Sequence, residues 1–398
     1  MKKSLLALAA MGAFAGAAQA QSSVTIYGVI DLSMNDGIDK VNLNGTTTTI
    51  KQRTTGAGKD GLASSRLGIR GVEDLGGGKS ASFVWEQGLV SIANGGTGGG
   101  QASNSVADVN ISTAPTAPFT DQRQVFVGLA DKGLGEIRLG RQATGIHNVI
   151  ATYSAGYANN VAGALYSAAG SVANGARVRP HDVYVNRMVN YMMPNLAGVT
   201  AEIQVASQSA NSETSTTAAP VTTAAYQGLR VSYTGVKNLS LGVGYSQVDL
   251  VATYGTGTSV KKKVLGIGGS YNFGPLQAFG LYTKASQQRP SGVKLNDQTA
   301  WELGVRAPIT KTIDTWASYL GGSSTGTGAT SSSALAFSSA AVSGNVDISG
   351  FQLGAKYNFS KRTNIYAIGG TQARKGTGVS SASKNEATQI ALGVNHTF

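Results

Sequence analysis

Along most of this chain, apolar side chains alternate one for one with polar or very small ones. Val24, Ile26, Ile30 and Leu32 share one parity, and Thr25 and Asp31 take the other. Leu67 and Ile69 alternate with Arg66 and Arg70; Phe83 and Trp85 oppose Ser82 and Glu86. The same pattern runs through Leu239–Tyr245, Leu265–Phe273, Phe351–Phe359 and Ile390–Phe398. Period two marks strands with one apolar face. After residue 20 no stretch offers the ~18 consecutive apolar residues of a spanning helix. If this chain crosses a bilayer, it does so as a closed barrel, because only helices and barrels satisfy every backbone polar group in hydrocarbon.

A water-soluble sandwich alternates in the same way, but three features argue for the membrane. Aromatic residues fall at strand ends, at Tyr271 and Phe273, Tyr357 and Phe359, and Phe398, where an interfacial girdle belongs. The second face is small and wet, rich in Gly, Ser, Gln and Arg. The connections also form two sets. Tight ones lie at Glu73–Lys79, Asp131–Gly135, Pro194–Gly198, Gly235–Asn238, Asn272–Pro275, Ala307–Lys311 and Phe359–Thr363. Long Gly/Ser/Thr/Asn-rich ones cover Asn35–Gly61, Gly88–Thr120, Gln142–His181, Ser207–Ala224, Leu250–Val260, Gln287–Asn296, Gly321–Ser349 and Gln372–Glu386. Seven turns and eight loops give an all-β, 16-stranded antiparallel transmembrane barrel.

Composition removes other classes. There is no Cys, so no disulfide framework, zinc–thiolate site or thiol nucleophile, and the three His are isolated in sequence. No metal site and no cofactor is expected. Gly76-Gly77-Gly78 lacks the strand–loop–helix setting of a phosphate loop. An outer-membrane hydrolase would need Ser and His side by side with an orienting group; His147, His181 and His396 have none in sequence, so no enzyme is read here. The formal charge of +12 is spread along the chain. Nucleic-acid binding is therefore not expected, and the one cluster, Lys261-Lys262-Lys263, suits lipopolysaccharide phosphates better. Met1-Lys2-Lys3, an apolar Leu5–Ala18 and Ala18-Gln19-Ala20 read as a cleaved signal peptide, residues 1–20, ahead of a barrel domain at 21–398. Its removal leaves a charge of +10.

Several segments, in order along the chain, resemble the trimeric general-diffusion porins of Gram-negative outer membranes, in particular those of β-proteobacteria. They are Ser23–Asp31, Ser64–Lys79, Arg123–Leu129, Glu136–Gln142, Pro194–Gly198, Tyr357–Thr363 and Gly393–Phe398. The resemblance implies a homotrimer in the outer membrane, contacting lipid and lipopolysaccharide. It implies a third external loop, Gln142–His181, folded into the lumen. It also implies a terminal Phe398 read by the outer-membrane barrel assembly machinery, with Val394 and Leu392 before it.

A pore selects by charges placed where it is narrow. Arg66 and Arg70 share a polar face whose neighbours Leu67 and Ile69 need lipid; a lipid-facing Arg at midplane would cost ~2–4 kcal/mol. By resemblance, Arg66, Arg70 and Arg123, with Arg138 next, form a wall ladder opposite the inward loop. Arg138 and Arg141 differ in parity, so only one points inward while the strand is regular. Arg177 and Arg179 on the return limb add to the ladder, and Tyr153 and Tyr157 line the constriction. The loop Gln142–His181 holds no Asp or Glu, a departure from porins that set carboxylates against the arginines. Glu73, Asp74, Glu86 and Asp31 remain as wall acids, and Val189-Asn190-Tyr191 has Asn where the family often has Arg. The expected function is a water-filled channel preferring small anions; the alternative is a substrate-selective channel for sugars or organic acids.

Overall fold

The computed structural model describes residues 23–42, 49–89, 121–166, 181–210, 222–252, 259–327, 343–377 and 384–398. The sequence expectations for residues 1–20 and for Arg177 and Arg179 lie outside them. The first strands are β1 (Ser23–Asn42), β2 (Thr49–Lys59), β3 (Arg66–Gly76), β4 (Lys79–Gly88), β5 (Asp121–Asp131) and β6 (Gly135–Ala143). A helix, α1 (Gly145–Tyr153), follows. Then come β7 (Tyr184–Met192), β8 (Val199–Ala210), β9 (Thr222–Tyr233), β10 (Leu239–Ala252), β11 (Val260–Asn272) and β12 (Gln277–Gln288). The chain ends with β13 (Lys294–Pro308), β14 (Ile313–Thr327), β15 (Ser343–Asn358), β16 (Thr363–Thr377) and β17 (Lys384–Thr397).

All pairings are antiparallel between neighbours, and β1 pairs with β17 to close the ring. The upper half of β1 pairs with β2 and its lower half with β3. These two strands are one stave interrupted at residues 60–65, so the closed barrel has 16 staves. Asp31, fully buried, holds the interruption by accepting from the backbone N–H of Gly61 (2.9 Å) and Ala63 (3.1 Å).

The outward face is apolar along every stave: Ile26, Leu129, Ile203, Leu303, Leu353 and Leu392 are all more than half exposed. Two aromatic levels bound this belt. Tyr271, Phe273, Tyr357, Phe359 and Phe398 lie at the end with the tight turns; Tyr282, Trp301, Tyr319 and Phe351 form the other level across β12–β15. Phe351 to Phe359 is eight residues, ~26 Å along the strand at ~3.3 Å each and ~20 Å along the barrel axis at a tilt of ~40°, close to the height of a hydrocarbon band.

All seven tight turns fall where the sequence places them. The long connections are shorter than expected: β1 and β2 run as a paired hairpin through most of Asn35–Gly61, and β14 reaches Thr327 inside the expected Gly321–Ser349 loop. Above the belt both faces of a strand meet water, so the ladder continues after the alternation stops.

Phe398 completes the closure. Its N–H donates to Gly28 O and its O accepts from Gly28 N, both at 3.1 Å, and its exposed ring stands over Gly28. Deleting Phe398 should lower the amount inserted in the outer membrane, measured by fractionation, and leave the single-channel conductance of the assembled fraction unchanged. Normal insertion of the deletion would remove the assembly role.

Candidate functional site

Inside the barrel the polar face of β1, β3, β4, β5 and β6 carries the predicted arginines, two of them on one carboxylate. Glu86 on β4 is 4 % exposed. Its Oε1 accepts from Arg123 Nε at 2.6 Å; its Oε2 accepts from the Tyr27 hydroxyl at 3.1 Å and lies 3.6 Å from Arg66 Nε. The Arg70 guanidinium is 5.2 Å from the Tyr27 ring centroid, and among the described residues it has no carboxylate partner. Arg138 is held bidentately by Glu136, at 2.8 and 2.7 Å, beside the Phe126 ring. Three guanidiniums therefore meet two carboxylates, and Arg70 adds a fourth, unpaired with any carboxylate among the described residues. Charge-assisted pairs of this kind are short and fix side-chain geometry.

Arg123 reaches this cluster against its parity. Val125, Val127 and Leu129 on the same parity face outward. The register slips between Glu86, opposite Gln124, and Gln87, opposite Gln122. Arg123 is the extra residue of that bulge, and a bulge re-aims one side chain. A second slip between Gly140 and Gln142 leaves Arg141 at the bulge, bonded to Gln122 O (2.8 Å) and Asn186 Oδ1 (2.6 Å). Arg138 keeps the inward parity, opposite Gly128. Arg123 and Arg141 each lie 5.3 Å from the Tyr184 ring centroid.

The segment after β6 begins with α1, a helix that period-two alternation does not reveal. Thr144 caps it by accepting from His147 N. Ile146, Val149, Ile150 and Tyr153 follow the i, i+3, i+4, i+7 spacing of an apolar helix stripe. They are buried with Val264, Leu281, Ala300 and Leu320, which belong to the strand face opposite the lipid-facing rows. Glycines let the helix lie this close: a Cβ at Gly266 would stand 2.6 Å from Ile146 Cδ1, and one at Gly268 2.3 Å from Tyr153 Cδ2.

Beyond α1 several wall side chains hold the chain, among them Gln389 and Gln372, which accept from Ala162 N (3.0 Å) and Gly163 N (3.2 Å). Glu302 on β13 is 1 % exposed and accepts from Ser154 Oγ (3.0 Å), Ala155 N (3.2 Å) and Leu165 N (2.6 Å). Arg306 donates to Ala155 O, at 2.9 and 3.1 Å. Gln352 on β15 donates to Val161 O (2.9 Å) and Ala162 O (3.0 Å) and exchanges amide bonds with Asn159. Midway the segment meets the interruption of the β2–β3 stave, where Asn160 N donates to Gly61 O at 3.1 Å. At its root, His147 Nδ1 and His181 Nε2 are 3.0 Å apart, so the two histidines that seemed isolated in sequence share a hydrogen bond.

Neither predicted loop tyrosine stands free in the lumen. Tyr153 is 2 % exposed, its ring on the glycines and its hydroxyl 2.9 Å from Ser240 Oγ. Tyr157 lies against cations, with Arg306 Cζ 3.6 Å and Lys356 Nζ 4.0 Å from its ring centroid. Burial pushes both hydroxyls above their ordinary pKa, so they stay neutral. An aromatic slide for sugars loses these two rungs. The Lys triplet is divided by parity: Lys262 turns inward to Asp182 at 3.3 Å, and Lys261 pairs with Asp249 at 3.5 Å.

A closed barrel with an apolar outer belt and a charged, arginine-bearing inner face is a membrane pore. Residues 7–377 match the Gram-negative porin family, and the chain belongs to it. It is an outer-membrane channel for passive diffusion of ions and small hydrophilic solutes, not an enzyme. An outer membrane porin of Bordetella pertussis is 28 % identical over the full length of both chains. Outer membrane porin protein 32 of Delftia acidovorans is 29 % identical over 78 % of this chain and 76 % of its own. Among solved structures, an anion-selective porin from Comamonas acidovorans is similar in fold, with a TM-score of 0.66, 22 % identity, and 95 % of this chain and all of that one covered.

Proposed function

We infer that this porin prefers small hydrophilic anions, with the Arg66–Arg70–Arg123–Arg138 wall as its selectivity element and residues 144–166 as the constriction facing it. One observation carries this reading: the wall sets four guanidiniums against two carboxylates, and residues 144–166 contain no Asp, Glu, Lys or Arg to offset the excess. In a narrow aperture, one unit charge acts on an ion 4 Å away by ~4 kcal/mol at an effective dielectric of 20. The Comamonas neighbour named as anion-selective supports the same preference. The test is the zero-current potential of the purified protein in a planar bilayer under a KCl gradient. Anion preference should be clear near 0.1 M and fade towards 1 M, where the Debye length shrinks to ~3 Å. Cation preference at low salt would overturn the reading.

The functional unit is a homotrimer. The outward residues of β16, β17, β1 and β3, such as Ile365, Ala367, Leu392, Ile26 and Ile69, are aliphatic, with no aromatic level above Phe398. That suits barrel against barrel rather than a lipid–water boundary. Unboiled gel electrophoresis should show a high-mass band that collapses to monomer on heating; monomer alone would count against it. Residues 1–20 act as the cleaved signal peptide.

A further inference from the structure

We propose that His147 and His181 form a proton-operated latch across the neck of the constriction loop, which strengthens the anion preference of the pore with its first added proton and opens with its second. The inference deepens the reading of residues 144–166 as the constriction and rests on it. His147 stands on the limb that enters the loop, in the first turn of α1; His181 stands on the limb that leaves it, just before β7. The base of the neck is closed by bonds that do not titrate: Thr144 N donates to Val183 O at 3.0 Å, and Thr144 Oγ1 donates to Asp182 O at 2.6 Å. The next link inward is the imidazole pair, with Nδ1 of His147 3.0 Å from Nε2 of His181 and the residues 8 % and 5 % exposed. The ring centroids are 5.2 Å apart, which puts both nitrogens close to the line joining the rings. That is the head-on geometry of one N–H···N bond; two imidazoles on one tetrahedral metal would turn towards a common third point.

Such a pair accepts one extra proton and not two. With both rings neutral, one nitrogen donates and the other accepts; with one ring cationic, the same bond becomes charge-assisted. With both cationic, two N–H groups face each other and neither can accept, so the second proton enters only as the rings part. The protons therefore bind in separate steps that belong to the pair. An imidazole ordinarily titrates near pH ~6.5 and a carboxylate near ~4, so moderate acid reaches the pair before the wall acids. The charged and titratable groups around the pair come from every neighbouring element. Asp182 meets Lys262 of β11 at 3.3 Å. Tyr166 and Tyr184 lie 5.4 and 6.2 Å from the His147 ring. Arg123 of β5 and Arg141 of β6 lie against Tyr184, and Glu86 of β4 holds Arg123. On the β8–β9 side Glu202 holds Arg230 beside Gly145, and Tyr226 donates to Gln204. Each of these three carboxylates already answers a cation, so a proton on the pair adds to the positive side. Through Tyr184 that charge stands within ~12 Å of Arg123, about one Debye length at 0.1 M salt.

The experiment compares wild type with His147→Asn/His181→Asn in planar bilayers, reading the zero-current potential in a KCl gradient near 0.1 M at about pH 8 and about pH 5. The anion-to-cation permeability ratio of wild type should rise at least ~2-fold more than that of the variant over this range, and its open-channel noise should grow in stronger acid while the variant's does not. Protonation of wall carboxylates moves both proteins alike and drops out of the difference. Equal pH dependence in the two proteins would overturn the latch and leave the arginine wall standing as the selectivity element. A cation-preferring wild type whose potential still moves towards chloride through the pair would do the reverse, keeping the latch and overturning the anion reading. If the double variant forms no barrels, NMR of histidine-labelled wild type decides. The chain has three histidines, and His396, bonded to Thr363, is the internal reference. His147 and His181 should titrate in two coupled steps and His396 in one; three independent single-step curves would overturn the proposal.

Discussion

Replacing Arg66 and Arg70 together by Ala should move the zero-current potential in a KCl gradient decisively towards cation preference. The sign follows from the local charge. The wall cluster holds four guanidiniums and two carboxylates. Removing Arg66 and Arg70 leaves Glu86 paired with Arg123 and Glu136 with Arg138, and the excess positive charge disappears. A loss of ~1.4 kcal/mol in ion stabilisation is a ten-fold change in the anion-to-cation permeability ratio, and a single uncompensated charge near the aperture exceeds that at low salt. The double variant should still fold, because Glu86 keeps its 2.6 Å bond to Arg123 and its Tyr27 bond. Arg123→Ala is a poorer probe: it strips a buried carboxylate of its closest partner, which typically destabilises by ~3–5 kcal/mol. Arg141→Ala, whose guanidinium is taken by Gln122 O and Asn186, should leave the potential near wild type. An unshifted double variant would mean that selectivity is set elsewhere in the lumen.

These residues show what a sequence of this kind exposes and what it conceals. Arg66 and Arg70 were legible because a regular strand puts them opposite Leu67 and Ile69, and lipid allows only one assignment. Arg123 was not legible by parity, since its inward direction depends on a bulge, and a bulge is a register property of two strands. The helix was legible in principle: Ile146, Val149, Ile150 and Tyr153 have its spacing, but they lie in a segment whose small residues read as loop. Glycines 242, 244, 266 and 268 passed as the wet face of two strands, although their use is to admit Ile146 and Tyr153. Glu302 and Gln352 give no local signal, because the residues of the 154–166 segment that they hold are 137 to 193 residues away in sequence. Alternation thus locates the membrane band and its tight turns, while the interior of the lumen is written in contacts between distant segments.

Glu302→Ala should raise single-channel conductance and admit larger solutes, with little effect on barrel assembly. The Glu302 backbone stays in the β13 ladder, opposite Leu281 and Leu320, so the wall itself is unchanged. The side chain is the acceptor for Ser154 Oγ, Ala155 N and Leu165 N, which bracket the middle of the proposed constriction segment. Its loss leaves three buried donors without that acceptor, at a cost of ~1–3 kcal/mol for each that water cannot reach. Releasing the stretches at Ser154–Ala155 and Leu165 from β13 is the cheaper outcome, since their donors then meet lumen water while Gln352, Gln372 and Gln389 still hold residues 159–163. The helix remains fixed by Ile146, Ile150 and Tyr153, so the change should be confined to the part beyond Tyr153. Glu302→Gln keeps one amide oxygen and should fall between the two. The measurements are conductance and open-channel noise in planar bilayers, and swelling rates of protein-loaded liposomes in sugars of increasing size. If Glu302→Ala assembles normally and keeps both the conductance and the size cut-off of the wild type, residues 154–166 do not set the aperture.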